Sequence, residues 1–311
     1  MHSSALFASP RLPTLPLAWL TRLLLLWLTL SSLGVVFAGP TESSTGALLL
    51  AKYTSLADRL QQNPFQRPLY LDSSESDNDI KGDIYAVVDY PYATVYAGLN
   101  DPDNWCDVLS LHLNTKYCHA TSGKAKTVLQ VSIGKKFDQP LADAYQLEFS
   151  YRVASATPKY LEIQLSADTG PMDTRDYLIQ LQAIPLANGR IFLHMSYFYA
   201  YGWVGRIAMK TYLATLGSGK VGFTVTRRQS NGQPEYIRGM RGLVERNAMR
   251  YYLAIDAYLG AYSTAPAQQL QKRLQSWFTA TEQYPRQLHE MERGEYIDMK
   301  LSEYLRQRTL Q

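Results

Sequence analysis

Apolar and polar residues alternate with a period of two through the middle of the chain. In residues 145–153 the odd positions are apolar or aromatic and most even positions are polar, and similar alternation recurs at 129–133, 161–165, 177–183 and 191–201. This period is typical of antiparallel strands that have one face in water. Two Asn-Gly pairs in the same part of the chain favour hairpin turns. The pattern therefore predicts an antiparallel sheet.

A helical period follows the sheet region. Residues 242–262 carry apolar side chains three and four positions apart, which is the clearest helical pattern in the chain. A sheet with one apolar face must cover it, and this segment is the only long predicted helix with a matching stripe. Shorter helices are predicted at 43–62, 93–99, 105–113 and 205–216, the last of them as an insertion, and a further strand is predicted at 220–226.

An apolar strand is predicted at 83–89, and the stretch after it carries five residues at characteristic spacings. Pro91, Val95, Leu99, Asp101 and Trp105 match the pattern aPxxxVxxxLxDxxxW. This pattern resembles the opening of a START-like domain. That superfamily contains the lipid-transfer START domains, plant pollen-allergen proteins and polyketide cyclases.

The resemblance covers about residues 84–263 and implies an α+β helix-grip fold. In that fold a curved antiparallel sheet wraps around a long C-terminal helix, and the cavity between them takes a hydrophobic ligand such as a lipid, a sterol or a polycyclic aromatic compound. The superfamily has no common catalytic residue, so the resemblance implies none. Outside this domain, residues 39–83 predict a helix and an acidic loop at 72–83. Residues 264–311 predict a helical tail that lies on the surface.

The N-terminal segment has the features of an export signal. An apolar run from Leu23 to Ala38 is shorter than the about 20 residues of a membrane span. Val36 and Ala38 stand where a signal-peptide cleavage site needs small residues. We predict a signal peptide at residues 1–38, with an uncleaved anchor as the alternative. In both cases the body of the protein is exported, to the periplasm or the medium.

Charge and motifs narrow the range of partners. The formal net charge of +4 falls to +2 when the two arginines of the leader are removed, and no Lys/Arg block stands out, so nucleic acid is not expected as a partner.

The segment 289–293 is a near miss to a zinc-protease motif, because Arg293 replaces the second histidine. We predict no cofactor, no metal and no catalytic residue. The expected partner is a small hydrophobic ligand, and the tail could add a membrane or protein contact.

Both cysteines, Cys106 and Cys118, lie in one short stretch together with His112 and His119. Four zinc ligands are one interpretation, but the spacing does not give the usual two close pairs. A Cys/His nucleophile pair is another, although an exported thiol tends to oxidise. We predict a disulfide, because the chain is exported and the loop is short enough to close. It would contribute roughly 3 kcal/mol by chain entropy and would staple a lid at the rim of the cavity.

Two groups of residues are candidates for ligand binding. Arg246 and Arg250 are four positions apart on the long helix, so both lie on one face and could bind a carboxylate or phosphate. Ion pairing within the fold is the alternative for both arginines. The other group is a set of tyrosines that would line the cavity or fill the core. These tyrosines are Tyr151, Tyr177 and Tyr199 from the sheet and Tyr252 from the long helix.

The sequence thus predicts an exported helix-grip protein that binds a small hydrophobic or amphipathic ligand, such as a lipid, without transforming it. This prediction depends mainly on the fold, and a fold does not by itself determine function. One alternative is a cyclase or hydrolase that uses a tyrosine or Glu245 as acid or base in the same cavity. Another is a membrane-associated scaffold or assembly factor whose tail docks a partner.

Overall fold

The structure, a computed structural model, describes residues 42–123, 126–215, 217 and 219–310. The predicted leader lies outside these residues. An eight-stranded antiparallel sheet has the order β1-β2-β8-β7-β6-β5-β4-β3. Its strands are β1 (Leu69–Glu75), β2 (Asp79–Val88), β3 (Thr115–Ser122), β4 (Thr127–Ile133), β5 (Tyr145–Thr157), β6 (Tyr160–Thr169), β7 (Thr174–Pro185) and β8 (Ile191–Tyr201).

Helices flank and cross this sheet. They are α1 (Glu42–Ser55), α2 (Ala57–Gln61), α3 (Tyr92–Leu99), α4 (Pro102–Ser110), α5 (Trp203–Ala214), α6 (Gly239–Ala261), α7 (Pro266–Thr281), α8 (Pro285–Leu288) and α9 (Arg293–Leu310). A separate hairpin is formed by β9 (Val225–Arg228) and β10 (Pro234–Tyr236). Asp101 caps α4 by accepting a hydrogen bond from the backbone N–H of Asp103, which explains why this helix begins at Pro102.

The long helix α6 packs across one face of the sheet, as the apolar stripe predicts. Alternate residues of β8 from Ile191 to Tyr201 are buried in the core between this helix and the sheet. On β2 the approach is close, and it favours glycine. A Cβ on Gly82 would lie 3.1 Å from the Cβ of Ala248 and 3.3 Å from the carbonyl oxygen of Val244. The period-2 pattern therefore identified the correct face.

The opposite face of the sheet is partly covered as well, which the sequence interpretation missed. Helices α1 and α2 pack there and form a second, smaller apolar cluster with β2, β7 and β8. Phe192 lies on this face, where the alternation of 191–201 predicted contact with water, and it is buried there together with Val87. The cluster consists of Leu49, Leu56, Leu60, Val87, Tyr160, Ile184, Leu186 and Phe192.

Two other local predictions were wrong. The segment 72–83 is not an acidic loop but a hairpin, because Asp72 pairs with Asp83 and Ser74 with Lys81 between β1 and β2. Charged residues fit this edge strand because its outer positions face solvent. The strand predicted at 220–226 is reduced to β9, which begins only at Val225.

The C-terminal helices are part of the main core, which corrects the prediction that they lie on the surface. Trp277 and Tyr296 are fully buried, and they stack on each other with ring centroids 4.9 Å apart. Leu274, Leu288 and Met299 belong to the same cluster as the sheet and α6. The apolar spacing of this tail therefore reports burial against the domain.

Candidate functional site

A cavity of about 110 Å³ lies between α6 and the sheet. Its volume is below the about 300–1,000 Å³ of pockets for drug-sized ligands, but it is close to the about 150 Å³ of an engineered cavity that binds benzene. Strands β3, β4, β5, β7 and β8 and helix α6 contribute to its wall. The apolar side chains are Leu109, Val131, Ile133, Leu147, Phe149 and Pro171, and the polar ones are His112, Asn114, Thr115, Tyr177, Tyr197, Asn247 and Tyr251.

The disulfide-closed segment forms one wall of this cavity. Cys106 on α4 and Cys118 on β3 are bonded to each other, with their Cα atoms 5.2 Å apart, so the predicted pairing is confirmed. Leu109, His112 and other lining residues lie between the two cysteines. Because both sulfurs are used in the bond, neither can act as a zinc thiolate or as a nucleophile.

His112 is the most unusual polar residue in the wall. Its Nδ1 accepts a hydrogen bond from the backbone N–H of Asn114 at 3.2 Å, which leaves the hydrogen of the neutral ring on Nε2. Among the described residues, this Nε2 has no hydrogen-bond partner. Burial lowers the pKa of His112 well below its usual value, and the nearby charges of Arg250 and Lys300 lower it further. The ring is therefore a neutral donor without a protein acceptor.

A second buried polar atom of the wall has the same property. In the described part of the chain, the hydroxyl oxygen of Thr115 also has no hydrogen-bond partner. Leaving a buried polar group unsatisfied costs about 1–3 kcal/mol, so a ligand or water that supplied partners would be stabilised. The ring of His112 stacks on that of Tyr251 with centroids 4.9 Å apart, which fixes its orientation in the wall. Sequence reasoning treated His112 only as a candidate metal ligand, although its place inside the short disulfide loop was visible.

Of the four predicted tyrosines, one lines the cavity and a second stacks on it from outside the lining. Tyr177 lines it, and its hydroxyl donates to the Oγ1 of Thr174 at 2.8 Å. Tyr199 stacks on Tyr177 with ring centroids 5.2 Å apart, but it is not part of the lining. Tyr197 does line the cavity, and burial raises its pKa well above the usual value. Its phenol therefore stays neutral at any physiological pH.

The other two predicted tyrosines do not line the cavity. The hydroxyl oxygen of Tyr151 is buried and has no partner among the described residues. Tyr252 lies on a different side of α6 from the cavity residue Tyr251, next to Arg67 and Tyr284. Their one-residue offset on the helix rotates the two side chains by about 100°, which separates them.

The two arginines of α6 share one face, as predicted, and both contact the chain's own acceptors. Arg246 is buried and donates through Nη1 to the carbonyl oxygen of Val221 at 3.1 Å. Arg250 forms an ion pair with Glu290 at 2.7 Å. Neither arginine belongs to the lining of the cavity, although Arg250 is the chain neighbour of Tyr251.

Glu245, the acid or base of the alternative enzyme interpretation, has a structural environment. Its carboxylate is completely buried and accepts hydrogen bonds from the hydroxyls of Ser73 and Thr224 and from the backbone N–H groups of Phe223 and Thr224. These donors join β1 and the segment before β9 to the first turns of α6. Since the donors occupy both oxygens and the residue is not part of the cavity wall, the carboxylate acts as a clasp between elements.

Comparison with solved structures found helix-grip proteins. Truncated norcoclaurine synthase from Thalictrum flavum is 10% identical, covers 47% of this chain and 91% of its own, and has a TM-score of 0.33. The Zhui aromatase/cyclase from Streptomyces sp. R1128 is 9% identical over 67% of this chain and 94% of its own, with a TM-score of 0.30. Human StAR-related lipid transfer protein 5 is 8% identical over 55% of this chain and 90% of its own, with a TM-score of 0.31.

No protein-family model matches the sequence, and a search of curated proteins gave no match. The architecture itself defines the class. An open antiparallel sheet, two short helices after its second strand and one long helix across its face form a helix-grip fold. The predicted fold class, an α+β helix-grip fold, is confirmed by this architecture.

The disulfide is consistent with an exported protein. Within the described ranges, no helix is both long and apolar enough to cross a membrane.

Proposed function

We propose that this protein binds a small amphipathic ligand in the cavity between α6 and the sheet and releases it unchanged. The observation that carries the proposal is the mixed wall of the cavity, in which apolar side chains stand beside buried polar atoms of His112 and Thr115 that have no partner among the described residues. Apolar surface favours a ring or a short chain, and unpaired polar atoms favour a ligand that can hydrogen-bond.

The size of the cavity limits the ligand. A volume of about 110 Å³ accommodates a single ring or a few carbon atoms, since one water molecule takes about 30 Å³ of liquid volume. A complete lipid would require α6 or the disulfide segment to move outward. We therefore favour a ring-sized ligand over the lipid that the sequence suggested.

Binding without chemistry is favoured over the enzyme alternative. Glu245 is saturated with hydrogen bonds away from the cavity, and burial raises the pKa of Tyr197, so its phenol stays protonated and cannot take a proton from a ligand. We also propose that the protein acts outside the cytoplasm, where its disulfide is maintained. A membrane or protein contact through the tail has weaker support, because most of the apolar side chains of the tail are buried and Leu301 and Leu305 are the exposed exceptions.

Isothermal titration with phenol tests the proposal. Phenol fits the volume and offers one hydroxyl to His112 or Thr115. We expect saturable binding to the native protein and loss of binding in Val131→Phe, which fills the cavity. Ile163→Phe is the matched control, because Ile163 is equally buried in the core but does not line the cavity. Overpacking costs about 1–3 kcal/mol at either site.

Two results would argue against the proposal. One is the absence of phenol binding to the native protein, and the other is an equal loss of binding in both phenylalanine variants. Native mass spectrometry of the protein from its own exported compartment should then identify the natural ligand by its mass.

A further inference from the structure

A cluster of charged side chains lies where the C-terminal segment meets α6. The carboxylate of Glu290 contacts three cations: Lys136 Nζ at 2.6 Å and Arg250 Nη2 at 2.7 Å, both at Oε1, and Lys220 Nζ at 3.2 Å, at Oε2. One negative charge thus faces three positive charges. The cluster has a formal excess of two positive charges.

The cluster adjoins the cavity through the chain itself. Lys136 lies three residues after Ile133, the lining residue that ends β4, and it binds the same carboxylate oxygen of Glu290 as Arg250 does. The positive charges of Arg250 and Lys136 also contribute to the low pKa of His112, which means that both lie near its ring. Lys136 and Arg250 of the charged cluster therefore lie on the His112 side of the cavity.

The excess positive charge is only partly solvated. Arg250 is 2% exposed, and the side chains of Lys136 and Lys220 are each 27% exposed. Desolvation, followed by repulsion from Arg250, lowers the pKa of Lys136 to about 8. A nearby anion would offset this repulsion, because opposite charges favour the ionised form.

The two lysines also have hydrogen-bonding capacity left. An ammonium group has three N–H donors. Among the described residues, Lys136 uses one of them, on Glu290, and Lys220 uses its donors on Glu290 and on the carbonyl oxygen of His289. The rotatable donors of lysine suit an anion that arrives and leaves.

We infer that the ligand of the cavity is a small organic carboxylate, whose apolar ring occupies the cavity and whose carboxylate binds Lys136 and Lys220 beside Glu290. This inference depends on the proposed function, because it names the charged end of the same ligand. Glu290 holds the two lysines in place and Arg250 holds Glu290, so both are positioning residues.

The test compares acids with their neutral amides. Benzoate, phenylacetate and 3-phenylpropanoate are titrated calorimetrically beside benzamide, phenylacetamide and 3-phenylpropanamide. We expect one of the acids to bind at least about tenfold more tightly than its amide, which is the size of one hydrogen bond between charged groups. The chain length that gives the largest preference measures the separation of the lysines from the cavity.

Variants assign that preference to the cluster. Lys136→Gln and, independently, Lys220→Gln should reduce the preference for the acid to about twofold or less while the affinity for the amide stays unchanged. Lys126→Gln is the control. Lys126 directly precedes β4, the strand that Lys136 follows, and it pairs with Glu148 at an exposed position. It should leave both affinities unchanged.

The outcomes separate the two proposals. Equal affinities for acid and amide, or an acid preference that survives both lysine variants, would overturn the inference and leave cavity binding intact. If phenol binds but no member of either series does, the inference fails and cavity binding stands; if phenol does not bind either, both proposals fail.

Discussion

The two segments that flank the sheet and α6 have similar amphipathic sequences but very different places in the structure. The C-terminal segment, residues 266–310, sends large side chains into the main core. The N-terminal segment, residues 42–61, covers the other face of the sheet and joins a smaller cluster. An amphipathic period shows that a stripe is buried, but it does not show how deeply or against which surface.

The polar atoms of the buried aromatic residues explain part of the difference. In the C-terminal segment, Trp277 Nε1 donates a hydrogen bond to the carbonyl oxygen of Arg250. The hydroxyl of Tyr284 donates to the carbonyl oxygen of Phe65, and the hydroxyl of Tyr296 donates to the carbonyl oxygen of Leu111. Each of these carbonyls belongs to the chain before residue 264. The side chains of α1 and α2 make more peripheral contacts, such as that of Arg59 with the exposed hydroxyl of Tyr70.

The C-terminal segment also supports the wall of the cavity. Lys300 is buried and donates to the carbonyl oxygens of His112 and Thr115 at 2.7 and 2.8 Å. Glu303 accepts from both Lys300 and Lys116. The disulfide-closed segment is thus held by its covalent bond and by helix α9.

The largest expected effect is that of removing the C-terminal segment. A chain that ends at Ser263 should not fold cooperatively, because it loses several fully buried aromatic side chains, each contributing about 3–5 kcal/mol when truncated to alanine. That sum exceeds the about 5–15 kcal/mol stability of a typical domain. Near-UV circular dichroism during urea titration measures the effect. Cooperative melting of the shortened chain would show that the two segments are equally peripheral.

Removing the N-terminal segment should have a smaller effect. A chain that begins at Asn63 loses the burial of Leu49, Leu56 and Leu60, each contributing about 1.5–3 kcal/mol as an upper bound. We expect the shortened chain to fold cooperatively with a lower urea midpoint, and to bind phenol as the native chain does. A chain that begins at Glu42 is the control. Complete loss of the folded state would contradict the comparison.

Much of the fold could be predicted from local patterns. The alternation at 191–201 identified the buried face of β8, and the spacing of apolar residues in 242–262 identified α6 as the helix that covers the sheet. The disulfide could be predicted because Cys106 and Cys118 have no other cysteine to pair with. These inferences depend on neighbours in the sequence or on simple counting.

The site was harder to predict because it depends on how elements are rotated against one another. Helical spacing places Arg246 and Arg250 on one face, but only the packing of α6 decides that this face meets Val221 and Glu290. The same rotation brings Tyr251 into the cavity in place of its neighbour Tyr252. The sequence offered His112 only as a metal ligand or as the partner of a nucleophilic cysteine. Its role in the cavity depends on an Nε2 that has no partner among the described residues, a property that no sequence pattern encodes.

Acid should weaken the attachment of the C-terminal segment. The cations around Glu290 hold its pKa at about 2, below the usual 4.5, although desolvation opposes this shift. A carboxylate with a lowered pKa stabilises the folded state fully above pH 4.5, and this contribution is lost as the pH falls toward 2. The shift corresponds to about 3 kcal/mol.

Urea midpoints of the native protein and of Glu290→Gln, measured from pH 6 to pH 3, isolate this contribution. The two curves should converge as the pH falls, because protonated Glu290 resembles glutamine. If the urea midpoints of the two proteins instead fall in parallel with pH, the negative charge of Glu290 does not contribute to the stability of the C-terminal segment.

The smallest expected effect compares one hydroxyl in each segment. Tyr296→Phe leaves the buried carbonyl oxygen of Leu111 without its donor, so it should destabilise the protein by about 1–3 kcal/mol. Tyr53 on α1 packs against Phe192 through its ring, and in the described residues no hydrogen bond involves its hydroxyl. Tyr53→Phe should therefore change the stability by no more than about 0.5 kcal/mol. Urea midpoints of both variants measure the difference. Equal losses of stability in the two variants would mean that hydrogen bonds to backbone carbonyls do not distinguish the C-terminal segment from the N-terminal one.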